Sequence, residues 1–293
     1  LVIQHMEPDH STEISNLIRQ YPGLKIIGNK KTFEILQSYY PTEGAELIEI
    51  QDGDSLDMGT QKLKFVLTPW LHWPETMMTY EESSKTLFSA DAFGMFGALN
   101  GGVFDDEIEF SDYQSEMQRY FSNIVGKYSA MVQKALNKLS CLDIEAIAPL
   151  HGLVWRSHVK EVISLYDRWS RFESEDSVVI AYASMYGFTE AMAEHIARGL
   201  CEKGRRRIRL FDVSKTHPSF ILNEVWTSRD IILGSCAYNS GMLPTMETLC
   251  NMLDAYKMKG KRLAIFGSCT WNGGGVKSLQ AFAEESGWEL MCA

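Results

Sequence analysis

Apolar residues in the first 170 positions form short runs that alternate with segments of helical period. Runs typical of strands cover residues 24–28, 45–50 and 61–68, whereas residues 13–21 and 31–40 repeat their apolar positions with the helical spacing. The chain opens on a three-residue apolar run that looks like the end of a buried strand. This alternation predicts an α/β fold for the first half of the chain.

A longer apolar stripe covers residues 113–138 and predicts a helix, with Gly126 as a candidate break. Residues 158–172 form a further amphipathic helix, on which we expect His158 to lie at the surface. The acidic run 173–176 follows and is the best candidate for a boundary. We therefore predict two domains, residues 1–173 and residues 177–293.

The second half opens on a fully apolar run at residues 178–183, of the kind found in parallel sheets that are buried on both faces. Similar runs at residues 207–213, 230–234 and 262–267, with helical segments between them, predict further strands, and residues 288–292 begin another one. The pattern predicts a parallel sheet with connecting helices.

Four side chains that can bind metals follow the opening apolar run within six residues: His5, Glu7, Asp9 and His10. Alternate side chains of an extended segment share one face, so His5, Glu7 and Asp9 are predicted to point the same way. A turn at residues 9–10 would bring His10 beside them. This arrangement suits two metals better than one.

Three more candidate ligands each follow an apolar run, namely His72, Asp91 and His151. A side chain at the end of a strand is fixed by the sheet while its tip reaches an open rim. A single histidine in such a place is more often an ordinary packed or exposed residue. Several such placements in one chain, together with the opening cluster, favour a metal centre.

The strand at residues 178–183 runs directly into a turn and a helix. The turn consists of Ser184, Met185, Tyr186, Gly187, Phe188 and Thr189. It offers two hydroxyl groups and a row of backbone N–H groups at a helix N-terminus, which together form a cradle for a phosphate. The turn lacks the lysine of a P-loop and the GxGxxG of a dinucleotide fold, so nucleoside triphosphate and NAD are weak candidates.

Composition narrows the remaining choices. The net charge of −10 argues against nucleic acid or a membrane surface as a partner, and no apolar run approaches the length of a membrane span. The six cysteines are scattered without a CxxC pair, which excludes a zinc ribbon or a rubredoxin-type module and predicts free thiols in the cytoplasm. Because the chain opens in mid-strand and stops at WELMCA, we expect it to be a piece of a longer protein.

The series HMEPDH, LH before a proline, SADAFG and PLHG resembles the metallo-β-lactamase superfamily, and specifically its flavodiiron branch. Glu7 stands where the zinc hydrolase pattern HxHxDH has its second histidine. A carboxylate in that place shifts the ligand set from one suited to zinc toward one suited to non-haem iron. The turn 184–189 resembles the T/S-x-x-G-x-T loop that binds the FMN phosphate in flavodoxins, so the resemblance covers almost the whole chain.

The resemblance implies a metallo-β-lactamase-like αββα sandwich, incomplete at its N-terminus, as the diiron domain. It implies a flavodoxin-like, doubly wound parallel sheet of strand order 2-1-3-4-5, incomplete at its C-terminus, as the FMN domain. His5, Glu7 and His72 would bind one iron, Asp9, His10 and His151 would bind the other, and Asp91 would bridge the two. Some members of the family have a histidine displaced from the iron.

Two further loops would contact the flavin ring, and Tyr238 and Trp271 are candidates to stack on it. Glycines in these loops would let the backbone approach the ring. Besides the turn 184–189, the expected FMN contacts are Ser235, Cys236, Ala237, Tyr238, Asn239, Ser268, Cys269, Thr270, Trp271 and Gly273.

By the same resemblance, the function expected is that of an oxidoreductase that reduces O2 to water, NO to N2O, or both, with electrons relayed by FMN to two irons. The expected assembly is a head-to-tail homodimer or a homotetramer, supplied by an outside donor such as a rubredoxin. The sequence does not distinguish O2 from NO. The alternatives are a zinc-dependent hydrolase that carries a flavodoxin domain, and an electron carrier whose metal domain is only a scaffold.

Overall fold

The computed structural model describes all residues from 1 to 293. The chain divides into two compact units, Leu1–Ser170 and Arg171–Ala293. The acidic run at residues 173–176 is partly structured, because Glu175 and Asp176 begin the first strand of the second unit and pair with Arg207 and Arg205. None of the helices is both long and apolar enough to span a lipid bilayer.

The first unit contains a two-stranded sheet, a five-stranded sheet and six α-helices. Its strands are β1 (Leu24–Gly28), β2 (Ala45–Glu49), β3 (Ser55–Asp57), β4 (Lys62–Leu67), β5 (Met77–Glu81), β6 (Thr86–Phe88) and β7 (Ala146–Ala148). Its helices are α1 (Pro8–Ser11), α2 (Ile14–Gln20), α3 (Lys30–Tyr39), α4 (Phe110–Tyr120), α5 (Ser129–Leu139) and α6 (Val159–Ser170).

The two sheets of the first unit differ in the direction of their strands. Strands β1 and β2 are parallel, whereas the larger sheet has the order β3-β4-β5-β6-β7 and is antiparallel except for the parallel pair β6 and β7. The opening apolar run lies beside β1, where the Ile3 N–H donates to the Ile27 carbonyl at 2.9 Å. Ile3 and Met6 are buried with apolar residues of α2 and α3. This packing fixes the backbone that leads to His5.

The apolar stripe at residues 113–138 does not form one regular helix. Helix α4 ends at Tyr120 and is followed by a π-helix at Phe121–Val125 and a 3-10 helix at Gly126–Tyr128, before α5 begins at Ser129. The predicted break at Gly126 coincides with the start of the 3-10 turn. A change of winding over one turn leaves the same apolar side chains buried, so the apolar period does not reveal it.

His158 is partly exposed and belongs to neither ligand group, as expected from sequence, but its side chain is not free. Its Nδ1 lies 3.0 Å from Asp105 Oδ2, and its ring stacks on Phe110 with the ring centroids 4.6 Å apart. The buried Asp105 carboxylate also accepts the backbone N–H groups of residues 156–158. These bonds satisfy backbone donors where the chain enters α6, and the histidine completes the same network.

The second unit is a parallel five-stranded sheet with helices between its strands. Its strands are β8 (Glu175–Ala183), β9 (Ile208–Asp212), β10 (Ser228–Tyr238), β11 (Gly241–Met242), β12 (Arg262–Ser268) and β13 (Glu289–Cys292), and its helices are α7 (Phe188–Glu202), α8 (Pro218–Thr227), α9 (Pro244–Ala255) and α10 (Gly274–Ser286). The strand order β13-β12-β10-β8-β9 confirms the predicted 2-1-3-4-5 order, and the short β11 pairs antiparallel with β10.

Strand β10 is longer than the apolar run 230–234 predicts. Ser235, Cys236, Ala237 and Tyr238 belong to this strand, and Cys236 is in register with Ser268 of β12. Small residues end the apolar signal at position 233, but the backbone ladder needs no apolar side chain to continue. Four residues that we expected in a flavin loop are thus held by the sheet.

Candidate metal centre and flavin loops

Five of the seven candidate metal ligands lie after an ordered segment of the first unit. His5 and Glu7 follow the segment beside β1, His72 lies between β4 and β5, Asp91 follows β6, and His151 follows β7. These five positions place the side chains of distant parts of the chain in one region. The two sheets therefore bring ligands that are far apart in the sequence close together in space.

The predicted extended segment at residues 5–9 is wrong in its second half. Residues 8–11 form the short helix α1, with Pro8 at its first position and the His10 N–H donating to the Glu7 carbonyl at 2.9 Å. Proline is preorganised for the first turn of a helix and cannot donate a strand hydrogen bond. Asp9 and His10 consequently reach the cluster from a helical turn, on a different side from His5 and Glu7.

The first ligand group consists of His5, Glu7, His72 and Asp91, whose ligand atoms lie within 4.8 Å of one another. His5 Nε2 is 3.3 Å from Glu7 Oε2 and 3.3 Å from Asp91 Oδ2. His72 Nε2 is 3.2 Å from the same Glu7 oxygen and 2.9 Å from Asp91 Oδ2. Two imidazole nitrogens and two carboxylate oxygens thus point at one common position.

The second ligand group consists of Asp9, His10 and His151, again within 4.8 Å of one another. Asp9 Oδ2 is 3.6 Å from His10 Nε2 and 3.4 Å from His151 Nε2. Asp91 Oδ1 approaches the same two histidines, at 3.0 Å from His10 and 3.5 Å from His151. This group is more open than the first, because half of the Asp9 side chain is exposed.

Asp91 belongs to both groups, since its Oδ2 faces the first and its Oδ1 faces the second. Its side chain is almost completely buried. Burial alone would raise the pKa of Asp91, but hydrogen bonds from His10 and His72 and the nearby His5 hold the pKa of this carboxyl well below its usual range. A carboxylate that stays ionised and turns one oxygen to each group is suited to bridge two cations.

The same carboxylates raise the pKa values of two histidines in the cluster. Burial opposes protonation of His10 and His72, yet the hydrogen bond and charge of Asp91, together with Glu7, raise the pKa of both histidines. Positive charge at this place is therefore favoured. Metal cations compete with those protons for the same nitrogen atoms.

The donor set and its spacing fit two first-row metal ions. Ligand atoms at right angles on one ion, each about 2.1 Å from it, are about 3.0 Å apart, and wider ligand angles give larger separations. The separations from 2.9 to 3.6 Å within the two groups agree with this requirement. Four imidazoles with three carboxylates make a mixed nitrogen and oxygen set of the kind that non-haem iron accepts.

Two residues of this region were not predicted from sequence. Glu75 is buried and bonds His5 Nδ1 through its Oε1, and the phenol of Tyr120 is buried with its ring centroid 5.6 Å from that of His151. Burial and the nearby Asp91 charge raise the pKa of Tyr120 above its usual range. Tyr120 was hidden in the apolar stripe of α4, and a single glutamate after a proline gave no signal at all.

The candidate phosphate turn in the second unit connects β8 to α7. Gly187 precedes the helix in the left-handed region (φ +86°), and its N–H donates to Ser184 Oγ at 3.1 Å. The first N–H groups of α7 have no acceptor within the helix, so they are available to an anion. Tyr186 and Phe188 lie within the turn, on either side of Gly187, and are 81% and 70% exposed.

The other two predicted flavin segments lie at the same carboxyl edge of the sheet. Thr189 Oγ1 is 2.8 Å from Ser268 Oγ, which joins the phosphate turn to the end of β12. Asn272 Nδ2 donates to Ser240 Oγ at 3.2 Å, which joins the segments after β12 and β10. Ligands of doubly wound sheets bind at this edge, outside the strand ends.

The predicted FMN contacts differ in how free their side chains are. Trp271 is 87% exposed, and Tyr238, Met185 and Cys269 are also exposed. Ser235 is fully buried, and its hydroxyl accepts the Leu243 N–H, so the fold already uses this side chain. Cys236 is also buried. Ala237, Asn239, Thr270 and Gly273 lie along the same two segments.

Two glycines of the segment after β12 are required by the packing of the fold, which we did not predict. A Cβ atom on Gly274 would lie 2.2 Å from the Ser240 carbonyl oxygen, and one on Gly275 would lie 2.8 Å from that of Ser235. These glycines allow the start of α10 to pack against β10. Only Gly273 has open space around its Cα, so close approach to a ligand does not explain the other two.

Two family models match the chain, one in each unit. Residues 1–152 match the model described as "ODP family beta lactamase", and residues 180–292 match the flavodoxin model. The solved rubredoxin oxygen:oxidoreductase of Desulfovibrio gigas is similar to 99% of this chain, with a TM-score of 0.92 and 28% identity over 73% of that structure. The flavodiiron protein of Giardia intestinalis aligns with a TM-score of 0.93 and 28% identity, again over 99% of this chain and 73% of the other.

This chain belongs to the flavodiiron protein family. The resemblance and the α/β fold class predicted from sequence are thereby confirmed. The anaerobic nitric oxide reductase flavorubredoxin of Escherichia coli K12 is 32% identical over 294 aligned residues, which are 99% of this chain and 61% of that protein. The chain thus spans about three fifths of the length of the curated flavodiiron relatives it matches.

Membership of the flavodiiron family implies a non-haem diiron centre and FMN, as predicted from sequence. The donor atoms around Asp91 fit two ions of that kind, and the turn before α7 fits a phosphate group. Of the predicted metal ligands, the structure brings together all seven, in the two groups described above.

Proposed function

We propose that this chain is a flavodiiron oxidoreductase that reduces O2 to water, NO to N2O, or both. The observation that carries the proposal is the buried Asp91 carboxylate, which faces one ligand group with Oδ2 and the other with Oδ1. Relatives with both activities in their names support leaving both substrates in the proposal: one is a rubredoxin oxygen:oxidoreductase and another an anaerobic nitric oxide reductase.

In this proposal His5, Glu7 and His72 would hold one iron, Asp9, His10 and His151 would hold the other, and Asp91 would contribute an oxygen to each. When bound, two adjacent irons supply a place for a diatomic molecule and share the electrons for its reduction. The three carboxylates offset part of the positive charge of the metals in either oxidation state. On the open side, the half-exposed Asp9 leaves a path for the substrate.

FMN is assigned to the carboxyl edge of the parallel sheet in the second unit. The N–H groups around Gly187 would bind its phosphate, and the exposed Tyr238 and Trp271 would contact the ring. We further propose a head-to-tail homodimer or homotetramer, in which the FMN of one chain serves the irons of another. A rubredoxin-type protein is the proposed donor, supported by the name of the Desulfovibrio gigas relative.

A zinc hydrolase and a metal-free electron carrier remain less suited to this site. Glu7 contributes its oxygen to the first ligand group, next to two histidines, which moves the donor set toward iron. A scaffold without a metal function would gain nothing from burying Asp91 against four histidines. Neither alternative is favoured by an observation of its own.

The decisive experiment is metal and flavin analysis of protein purified without air from iron-replete cells. We expect about two irons and about one FMN per chain, because the seven ligands form two adjoining sites and one phosphate turn is present. O2 and NO consumption with reduced rubredoxin would follow on the same sample. Zinc in place of iron would contradict the redox proposal, and iron-loaded protein that consumes neither gas would contradict the assigned reaction.

A further inference from the structure

Glu75 is a buried carboxylate directly behind the first ligand group. Its side chain has no solvent exposure, and its Oε1 lies 2.8 Å from His5 Nδ1 and 2.9 Å from the Met6 backbone N, whose N–H it accepts. The other nitrogen of the same imidazole, Nε2, faces Glu7 and Asp91. Glu75 thus contacts the ligand histidine on the side away from the metal position.

Only one of the two Glu75 oxygens is used. Oε2 is buried and has no hydrogen-bond partner in the fold. Burying a polar atom without a partner costs free energy. A carboxylate that served stability alone would be expected to satisfy both oxygens.

Glu81 shows what such a stabilising carboxylate looks like in the same unit. It is also buried, and its two oxygens accept the Ser83 N–H and the Ser84 N–H and hydroxyl in the turn after β5. These bonds lower the pKa of Glu81 to about 2. No metal-ligand side chain takes part in these bonds, so Glu81 is a natural control for Glu75.

We infer that Glu75 is a positioning residue for one of the two metal sites. By accepting the Nδ1 proton of His5, it fixes the tautomer whose Nε2 lone pair is directed at the first ligand group. Its second bond, to the Met6 N–H, holds the backbone next to His5 in the same place. The inference rests on the proposed function, because it assumes that this group binds iron.

The effect is predicted to be confined to the first group. The hydrogen bonds and ion pairs of His10 and His151, which form the second group with Asp9, are with Asp9 and Asp91, whereas the Glu75 carboxylate bonds to His5 and Met6. A loss of the Glu75 carboxylate should therefore weaken the site of His5, Glu7 and His72, while the site of Asp9 keeps its affinity. Such a one-sided loss is not expected from a general loss of stability.

The test compares Glu75→Met and Glu75→Gln with Glu81→Met and Glu81→Gln, all as the full chain loaded with ferrous iron. Methionine keeps the volume and removes both acceptors, whereas glutamine keeps one neutral acceptor oxygen. We expect Glu75→Met to lower the affinity of one iron per chain about 10- to 100-fold, and Glu75→Gln to lower it less. The readouts are iron retained against a ferrous chelator and the Mössbauer signals of the two irons, with flavin content as an internal check.

The control variants should lose thermal stability with both irons retained at wild-type affinity. The inference is overturned if Glu75→Gln and Glu75→Met retain both irons as the wild type does, or if Glu81 variants lose one iron in the same way. If Glu75→Met fails to fold, the glutamine variant still decides. Failure of the proposed function is a separate result, because the wild-type chain itself would then not bind about two irons.

Discussion

The two units prepare their binding sites in opposite ways. In the first unit the candidate ligands lie between positions 5 and 151 of the sequence. They contact one another in the folded chain, with Asp91 at their centre. In the second unit the candidate flavin residues stand on neighbouring strand ends, and their aromatic side chains point into open space. The first site is built from mutual contacts of charged atoms, whereas the second is built from backbone geometry and exposed surface.

The two units also attract ligands of opposite charge. Carboxylates of Glu7, Asp9 and Asp91 converge in the first unit, which favours cations. The turn at Gly187 offers backbone N–H groups at the positive end of a helix, which favours a phosphate. The comparison predicts that each unit can lose its own cofactor while the other is retained.

The largest effect is expected for Asp91→Asn. The amide keeps the shape but removes the charge and one acceptor oxygen that the two groups share, so both irons should be lost, with affinity lowered by a factor on the order of 100 or more. Iron analysis after dialysis measures the loss, and FMN content should stay at the wild-type level. Loss of iron and FMN together would contradict the prediction that each unit can lose its own cofactor while the other is retained.

Asp105→Asn serves as the control for Asp91→Asn. Asp105 is likewise fully buried in the first unit, but it accepts backbone N–H groups at the start of α6 and His158. This variant should lower the melting temperature and leave iron content unchanged. If Asp105→Asn also strips the metal, general instability rather than ligand loss would explain the result for Asp91.

An intermediate effect is expected for Lys261, a buried lysine in the second unit that lies outside its candidate site. Its Nζ donates to the carbonyl oxygens of Trp226 (2.6 Å) and Ser228 (2.8 Å), and burial lowers the pKa of Lys261 to about 7. In the unfolded chain the amine titrates near its ordinary value of 10.5. Between these pH values unfolding takes up a proton, so the free energy of unfolding should rise with pH, by at most about 1.4 kcal/mol per pH unit.

Lys261→Met should remove this dependence. Hydrogen exchange of amides in β8 and β10, measured from pH 7 to 10, reports the stability of the second unit separately from the first. The wild type should gain stability relative to the variant as the pH rises through this window. A constant difference between the two proteins across the window would show that the folded amine keeps its ordinary pKa.

The smallest effect is expected for Trp271→Ala. The indole is 87% exposed, so its loss should leave the melting temperature of the protein unchanged. If the ring stacks on the flavin, FMN affinity should fall by a factor of about 2 to 10, the range of a single aromatic contact. Fluorescence titration of the deflavinated protein measures this, with Tyr21→Ala, an exposed aromatic of the first unit, as the control. Unchanged FMN affinity would remove Trp271 from the flavin contacts.

The parts of the fold that depend on apolar period were predictable from sequence. The strand at Leu24–Gly28 follows the apolar pattern. The strand order of the second unit does not come from apolar period; it was implied by the resemblance to flavodoxins, and the structure has it. The π-helix and 3-10 helix after α4 were not predicted, because an α-helix, a π-helix and a 3-10 helix of this length bury the same apolar side chains. The extension of β10 through Ser235 was also missed, since backbone pairing leaves no apolar signal in small residues.

Within the candidate site, the sequence could supply residues of metal-binding type but not what stands behind them. His72 and His151 are visible because each follows an apolar run and because the chain also carries the opening cluster of ligands; neither histidine would be informative alone. Glu75 is invisible, since a glutamate in a polar turn is ordinary and only its burial against His5 makes it informative. Glycines after β12 were expected to let the backbone approach the flavin, but the close contacts of Gly274 and Gly275 are with the carbonyl groups of Ser240 and Ser235.

The spread of the ligands from His5 to His151 makes the metal centre a cross-link as well as a place for chemistry. Two ions held there would tie the chain beside β1 to the loops after β4, β6 and β7, closing loops that together enclose almost all of the first unit. Closing such loops removes conformational freedom from the unfolded chain, so each bound ion should stabilise the folded unit by the free energy with which it binds. The second unit contributes no ligand to this tie, and its melting should not depend on iron.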